Sequence, residues 1–279
     1  MAHEIRALDQ WGIDQLSNIA HRDTVRHCYV ASRIAETRRG RFRHSYPDVL
    51  GYFDDGHLKS AMLLGANVVP INTSGISRQE FSRVLAKHGR RCSSIVGPAA
   101  EVLELWTLLE PHWGKARALR PNQPMLSIQQ RSLCEPDELV RYSNREDVES
   151  LIPACVDMFT NEVGVSPIAH GAGAAYRNRI SELVNQRRSF VRIDNGRIIF
   201  KAEVGAVGAG VAQIQGVWID PEFRGRGLAA PGMAAVVRMV QDDIAPIVSL
   251  YVNDFNEAAL ATYRRVGFEQ VDTFATVLF

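Results

Sequence analysis

Residues 216–229 form the segment whose composition and spacing are best suited to binding a ligand. Apolar residues typical of a strand run into a turn with Gly225 and Gly227, after which a helix begins. Glycine lets the backbone approach a ligand closely and adopt conformations that a Cβ atom forbids. Amide groups at a helix N-terminus attract an anion, and Arg224 and Arg226 add positive charge. The segment therefore predicts a pyrophosphate cradle, although such a turn alone is weak evidence because many serve only as turns.

A second segment downstream strengthens this interpretation. A predicted strand over residues 247–252 is followed by Asn256 and then by a helix that carries Tyr263 and ends at Gly267. Taken alone, a tyrosine at this position is more often a half-buried packing residue. The order of the two segments makes a functional role the favoured hypothesis.

Together these segments resemble a known family. Arg224-x-x-Gly227-x-Ala229, followed by Asn256, Ala259-Leu260 and Tyr263-x-x-x-Gly267-Phe268, is similar to motifs A and B of the GCN5-related N-acetyltransferases (GNAT). The resemblance covers roughly residues 139–279. The strings over 200–205 and 213–218 resemble an actinobacterial subgroup in which an uncharacterised N-terminal domain precedes the acetyltransferase domain.

The resemblance implies acetyl-CoA as co-substrate and a role for each matching residue. Strands 4 and 5 of this family splay apart, and a strand N–H can polarise the thioester carbonyl there. Tyr263 would lie near the sulfur and protonate the leaving thiolate, a competent acceptor even for a phenol with a pKa of about 10. Asn256 would contact the pantetheine arm. The expected pyrophosphate contacts are the amides of Arg224, Gly225, Arg226, Gly227, Leu228 and Ala229, and the expected pantetheine contacts are Val217, Trp218 and Ile219.

The attacking amine must lose a proton, and the sequence restricts which group can take it. No histidine follows His170, so a carboxylate or water is expected to act as the base. Strand alternation places Lys201 and Glu203 on one face, and Gln213 and Gln215 on one face of the next strand together with Val217 and Ile219. If these faces coincide, they form a polar floor. Glu203 is the first candidate and Glu162, in a turn over 159–164, the second, but Lys201 and Glu203 are equally interpretable as a structural ion pair.

The elements around these residues predict an α/β protein of two parts. The first part is predicted to contain helices over 8–20 and 24–37, an arginine-rich loop over 38–44, a helix from Ser77 with Glu80 completing a capping box, and a strand at 125–129. The second, with a hairpin at Asn195-Gly196, repeats the order of the first, which suggests a divergent duplication.

We therefore predict an N-terminal α/β domain over 1–138 and an acetyltransferase domain over 139–279. The latter is expected to have a mixed, centrally splayed sheet flanked by helices. A degenerate version of the same fold is one interpretation of the former. Its corresponding turn, 72–77, holds one glycine, so this half is not expected to bind acetyl-CoA.

Composition narrows the remaining possibilities. The 279 residues carry a formal charge of +1, which makes nucleic acid an unlikely partner, and no stretch reaches the length of a membrane span. Four cysteines without a CxxC pattern favour reduced thiols and a cytoplasmic location, and no metal ion is predicted. The expected function is an acetyl-CoA-dependent N-acetyltransferase acting on a primary amine of a small molecule or protein. A non-catalytic acyl-CoA-binding, sensing or partner-binding module is the alternative, and the oligomeric state stays open.

Overall fold

The computed structural model describes residues 3–38 and 49–279, and its helices and strands form two series in the same order. Beyond the backbone of Arg38, the arginine-rich segment 38–44 lies outside the described residues. The first series is β1 His3–Ala7, α1 Gln10–Arg22, α2 Cys28–Arg38, β2 Val49–Asp54, β3 His57–Leu63, β4 Asn67–Ile71, α3 Gly75–His88, β5 Ser94–Pro98, α4 Ala99–Trp113 and β6 Ala118–Ile128. The second series is β7 Arg141–Tyr142, α5 Val148–Val163, α6 Gly173–Asn185, β8 Ser189–Asp194, β9 Arg197–Gly208, β10 Val211–Ile219, α7 Ala229–Asp243, β11 Ile247–Tyr251, α8 Glu257–Val266 and β12 Glu269–Leu278.

All the described strands belong to one sheet, and the last strands of the two series are exchanged. The order across the sheet is β1-β2-β3-β4-β5-β12-β6-β11-β10-β9-β8-β7. The two series therefore run inward from opposite edges, but β12 lies beside β5 of the first series and β6 lies beside β11 of the second. The proposed division at 138/139 thus separates two stretches of sequence whose strands share a sheet.

The exchange is anchored in both hydrophobic cores. Leu126 and Ile128 of β6 pack in the same cluster as Phe200 and Met233 of the second series. On the other side, Val277 of β12 packs in a cluster of the first series, with neighbours that include Phe81, Leu105 and Trp106. Burying each side chain of this kind stabilises the fold by about 1.5–3 kcal/mol relative to leaving it exposed. Detaching either exchanged strand would therefore cost several kcal/mol.

The centre of the second series opens into a gap. β10 and β11 are parallel and pair from Val211 opposite Ile247 to Gln213 opposite Ser249. Their described pairing ends there, while β10 continues to Ile219. The splayed centre expected from the family resemblance is therefore present, and it leaves a cleft between the two strands.

Two predicted boundaries are wrong for physical reasons. Helix α3 is capped by Ser74, whose hydroxyl accepts from the Ser77 amide at 3.2 Å while the Ser77 hydroxyl accepts from the Ser74 amide at 2.9 Å. Ser77 is therefore the third helical residue, not the cap. Strand β6 also begins at residue 118 rather than 125, despite Pro121 and Pro124. Its residues before Met125 extend past β11, where the carbonyls of Asn122 and Pro124 accept from the amides of Asp254 and Val252. Proline is tolerated in such a place because accepting through its carbonyl needs no N–H.

Candidate active site

A cleft of about 1110 Å³ occupies the gap between β10 and β11. It extends from the start of α7 to the end of α5. The structure brings together in its lining all but one of the predicted site residues: Glu162, Glu203, Val217, Trp218, Ile219, Arg224, Gly225, Gly227, Leu228, Ala229, Asn256 and Tyr263. The exception is Arg226, whose guanidinium carbon lies 4.7 Å from the centre of the Phe223 ring.

The turn between β10 and α7 presents unpaired backbone donors. Gly225 and Gly227 have φ angles of 73° and 77°, a region that favours glycine. Among the described residues, the amides of 225–229 donate to no other protein group. The preceding turn is fixed by Arg197, whose Nη2 donates to Asp220 at 2.8 Å and whose Nη1 donates to Glu222 at 2.7 Å. A rigid turn followed by free amides at a helix N-terminus is a site suited to an anion.

A β-bulge interrupts β10 at the centre of the cleft. Gln215 pairs with Glu203 and Trp218 with Lys201, so Gly216 and the residue after it oppose one residue of β9. Gly216 has a φ of 61°. The bulge moves Trp218 to the position opposite Lys201, and the predicted alternation, which put Val217 and Ile219 on one face with Gln213 and Gln215, is therefore wrong.

Lys201 lies beneath the bulge and is fully buried. Its Nζ is 2.7 Å from Glu203 Oε1 and donates to the Gly216 carbonyl at 3.0 Å. Burial opposes the charged ammonium, but the Glu203 carboxylate beside it holds the pKa of Lys201 above its usual value. The Cys155 thiol also donates to Glu203 at 3.4 Å, and burial raises the pKa of Cys155 to about 12, so it stays protonated. Of the predicted polar floor, Glu203, Gln213 and Gln215 face the cleft, whereas Lys201 supports it from below.

Tyr263 of α8 and Glu162 of α5 both line the cleft. Tyr263 is 7% exposed and packs edge-on against Phe268, with ring centres 5.8 Å apart. Burial raises the pKa of Tyr263, and the negative charge of Glu162 acts in the same direction. The phenol therefore keeps its proton well above neutral pH. Glu162 lies in the last turn of α5 and not in the predicted turn, because the helix continues to Val163; its side chain is 51% exposed.

Asn256 is the N-cap of α8. Its Oδ1 accepts from the Ala259 amide at 3.2 Å, which fixes the side chain at the cleft. Its Nδ2 donates to no other group among the described residues and is free to donate to a ligand.

Sequence reasoning missed Gln123, which belongs to β6 and lines the same cleft. It is 2% exposed; its Nε2 donates to Asn253 at 2.9 Å, and its Oε1 accepts from Thr276 at 2.6 Å. A lone glutamine in a proline-containing stretch gives no sequence signal, and only the strand exchange brings it to the site.

Comparison with known proteins agrees with this geometry. The acetyltransferase (GNAT) family model matches residues 158–268, and a domain of unknown function, DUF4081, matches residues 47–151. The second half of the chain thus contains a GNAT acetyltransferase domain, matched over residues 158–268.

Relatives and solved structures resemble the chain to different extents. Mycothiol acetyltransferase of Nocardiopsis dassonvillei is 39% identical over 66 residues, which are 24% of this chain and 20% of that protein. The chain spans 20–26% of the length of the curated relatives it matches. A GCN5-related N-acetyltransferase from Sphaerobacter thermophilus is similar over 99% of this chain and 95% of its own, at 14% identity and a TM-score of 0.61. A tandem GNAT protein from the clavulanic acid biosynthesis pathway is similar over 99% and 98%, at 13% identity and a TM-score of 0.55. These structures share the fold along nearly the whole chain.

The described residues contain neither a metal-binding cluster nor a membrane-spanning helix. Within 3–38 and 49–279, no group of three histidine, cysteine or acidic side chains is arranged to hold a metal ion. In the same part of the chain, no helix is long and apolar enough to cross a membrane.

Proposed function

We propose that this protein is an acetyl-CoA-dependent N-acetyltransferase that acetylates a primary amine of a small molecule or a protein. The observation that carries the proposal is the row of unpaired amides at 225–229, which shares one cleft with the buried phenol of Tyr263. An anion-binding turn and a proton donor, joined by a gap between splayed strands, are what an acyl thioester with a pyrophosphate requires.

The cleft residues divide into a binding end and a chemical end. At the binding end, the amides of 225–229 and the side chain of Arg224 hold the pyrophosphate, whereas the Arg224 amide already donates to the Pro221 carbonyl at 3.4 Å. Arg226, stacked on Phe223, is less well placed and contributes charge. Val217, Trp218 and Ile219 hold the pantetheine arm from the β10 side, and Asn256 donates its Nδ2 from the α8 side. The bulge at Gly216 turns a β10 amide toward the thioester oxygen, where a fixed donor stabilises developing negative charge.

At the chemical end, Tyr263 is the proton donor to the departing sulfur. Its raised pKa makes it a weaker acid, but it also keeps the proton in place over the whole working pH range. Two carboxylates are candidates for removing the proton of the amine. Glu203 is nearer to the bulge but already accepts from Lys201 and Cys155, whereas Glu162 is exposed to solvent and to an entering amine.

The test is release of free CoA thiol from acetyl-CoA in the presence of a panel of primary amines, with the acetylated product identified by mass. The double variant Tyr263→Phe/Glu203→Gln should abolish turnover while acetyl-CoA still binds. If the wild-type protein binds CoA but releases no thiol with any amine, the non-catalytic acyl-CoA-binding alternative replaces the proposal.

A further inference from the structure

The exchanged strand β6 brings first-half residues to the end of the cleft where the acceptor would enter. Only residues 125–128 of β6 pair with β11, so the part before them projects beyond the end of β11. That part lies next to the last turn of α5, which carries Glu162. The first half therefore contacts the wall of the cleft that lies opposite the phosphate-binding turn.

Two arginines make this contact through the carbonyl groups that end α5. Arg120 Nη2 donates to the Glu162 carbonyl oxygen, and Arg117 Nη1 donates to the Val163 carbonyl oxygen at 2.6 Å. The last carbonyls of a helix have no hydrogen-bond donor within the helix and carry partial negative charge. A guanidinium supplies both a donor and a positive charge. The side chain of Arg120 is only 16% exposed, which makes its geometry well defined.

Arg120 also faces the Glu162 carboxylate. Its Nη1 is 4.0 Å from Glu162 Oε1, the outer limit of an ion pair, and the carboxylate is largely in solvent. Such a pair contributes little by itself. The stronger effect of Arg120 is therefore on the backbone, which it fixes at Glu162, a residue that lines the cleft.

We propose that the first half serves the one active site of the second half, and that Arg120 of β6 is a positioning residue for the acceptor. It holds the C-terminal turn of α5, and with it Glu162, at the mouth of the cleft. This inference rests on the proposed function. It gives the first half a role that needs no ligand of its own.

The experiment compares full-length Arg120→Leu and Arg120→Lys with the control Arg131→Leu. Arg131 pairs with Asp242 on the exposed surface and does not line the cleft. In Arg120→Leu, we expect the KM for the amine to rise about 10-fold, as loss of a charged hydrogen-bond donor predicts, with an unchanged dissociation constant for acetyl-CoA. Arg120→Lys, which keeps one cationic donor, should recover part of the loss, and Arg131→Leu should behave as wild type.

Amide hydrogen exchange of residues 160–164 provides a readout that does not depend on turnover. Arg120→Leu should accelerate it, while exchange in 225–229 stays as in wild type. Unchanged exchange at 160–164 overturns the inference whether or not the protein transfers acetyl groups. An unchanged amine KM, or an equal weakening of acetyl-CoA binding, also overturns it. A wild-type protein without any transfer activity refutes the proposed function instead, and the exchange result still decides the positioning role.

Discussion

Each half of the molecule has a central strand that leads into a helix, but the two junctions use their backbone donors differently. After β4, the amide and hydroxyl of Thr73 both donate to Glu101 Oε2, at 2.7 and 2.6 Å, and Ser74 and Ser77 cap each other. After β10, the amides of 225–229 have no acceptor among the described residues. In the first half the protein's own carboxylate thus accepts from the backbone at the junction, whereas in the second half the backbone donors are open to a ligand.

The length of one loop explains much of this difference. In the first half, α4 begins immediately after β5, so its first turn brings Glu101 to the Thr73 amide that follows β4 and Val102 beside Gly97 of β5. In the second half, residues 252–256 separate β11 from α8 and hold the helix away from the gap. The start of the next helix therefore decides whether the gap beside the strand is filled, as at the closed junction after β4, or left empty, as at the open junction after β10.

The helices that follow β5 and β11, α4 and α8, also carry different side chains at equivalent positions near their C-terminal ends. Tyr263 accepts through its carbonyl from the amide of Gly267, which ends α8, and Glu110 accepts in the same way from Gly114 at the end of α4. Glu110 is exposed and Tyr263 is buried in the cleft. Among the described residues, the first-half junction therefore offers neither the free amides of 225–229 nor a phenol at the position of Tyr263.

The largest effect that tests this contrast is expected from Tyr263→Phe. Loss of a general acid should lower kcat by about 10²-fold or more while acetyl-CoA binding is preserved. In the wild type, kcat should not fall as pH rises through about 10, where an ordinary tyrosine ionises, because burial raises the pKa of Tyr263. The measurement is steady-state thiol release against pH.

Two matched variants control this prediction. Tyr142→Phe removes a phenol that donates to Asp243 away from the cleft, and Glu110→Gln changes the first-half counterpart of Tyr263. Both should keep wild-type kcat. A Glu110→Gln variant as impaired as Tyr263→Phe would show that the first half takes part in the chemistry.

The next effect concerns the buried ion pair of β9. By their position after the hairpin turns, Ala61 and Leu63 of β3 correspond to Lys201 and Glu203. Lys201→Met strands the Glu203 carboxylate and should lower the free energy of unfolding by about 3–5 kcal/mol. Lys201→Met/Glu203→Leu copies the apolar arrangement of the first half and should recover most of this stability, because the uncompensated charge is gone.

Urea unfolding measures both variants, and activity separates stability from function. The double variant should fold but transfer acetyl slowly, since nothing then donates to the Gly216 carbonyl and fixes the bulge. If the double variant is as unstable as the single variant, the Lys201–Glu203 pair contributes more to stability than is needed to offset the cost of burying its two charges. If it is stable and fully active, neither residue is needed at the site.

A smaller change in binding is expected from Gly227→Val. Gly227 has a φ of 77°, where a side chain costs about 1–2 kcal/mol. A Cβ atom at this position meets no other group within 4 Å, so the substitution acts by changing the backbone of the turn that presents the amides. Acetyl-CoA should bind about 10- to 100-fold more weakly by calorimetry. Gly75→Ala, at the start of α3, changes a glycine without positive φ and should leave binding unaltered. Equal losses in both variants would contradict the assignment of the anion site to one junction.

The open junction could be predicted from the sequence because its signal is local. The glycines and arginines of 224–227, and the tyrosine ahead of Gly267, lie within short stretches whose spacing predicts the turn and the helix that line the cleft. The exchange of β6 and β12 was not predictable in this way. Strand pairing across the sheet depends on contacts more than a hundred residues apart, and alternation does not specify a partner. For the same reason Gln123 and Arg120, which β6 brings to the cleft, were missed, and a bulge at Gly216 shifted the predicted faces.

The smallest effect tests whether the closed junction is closed by Glu101 alone. Glu101→Gln keeps one oxygen acceptor but removes the negative charge that accepts hydrogen bonds from both the amide and the hydroxyl of Thr73. It should lower the free energy of unfolding by about 1 kcal/mol. Calorimetry should still find one acetyl-CoA per chain, because Val102 and the early start of α4 continue to fill the gap. Appearance of a second, weaker site in Glu101→Gln would mean that one carboxylate separates the two halves in function. An unchanged single acetyl-CoA site would mean that the length of the loop between strand and helix, and not Glu101, separates the two halves in function.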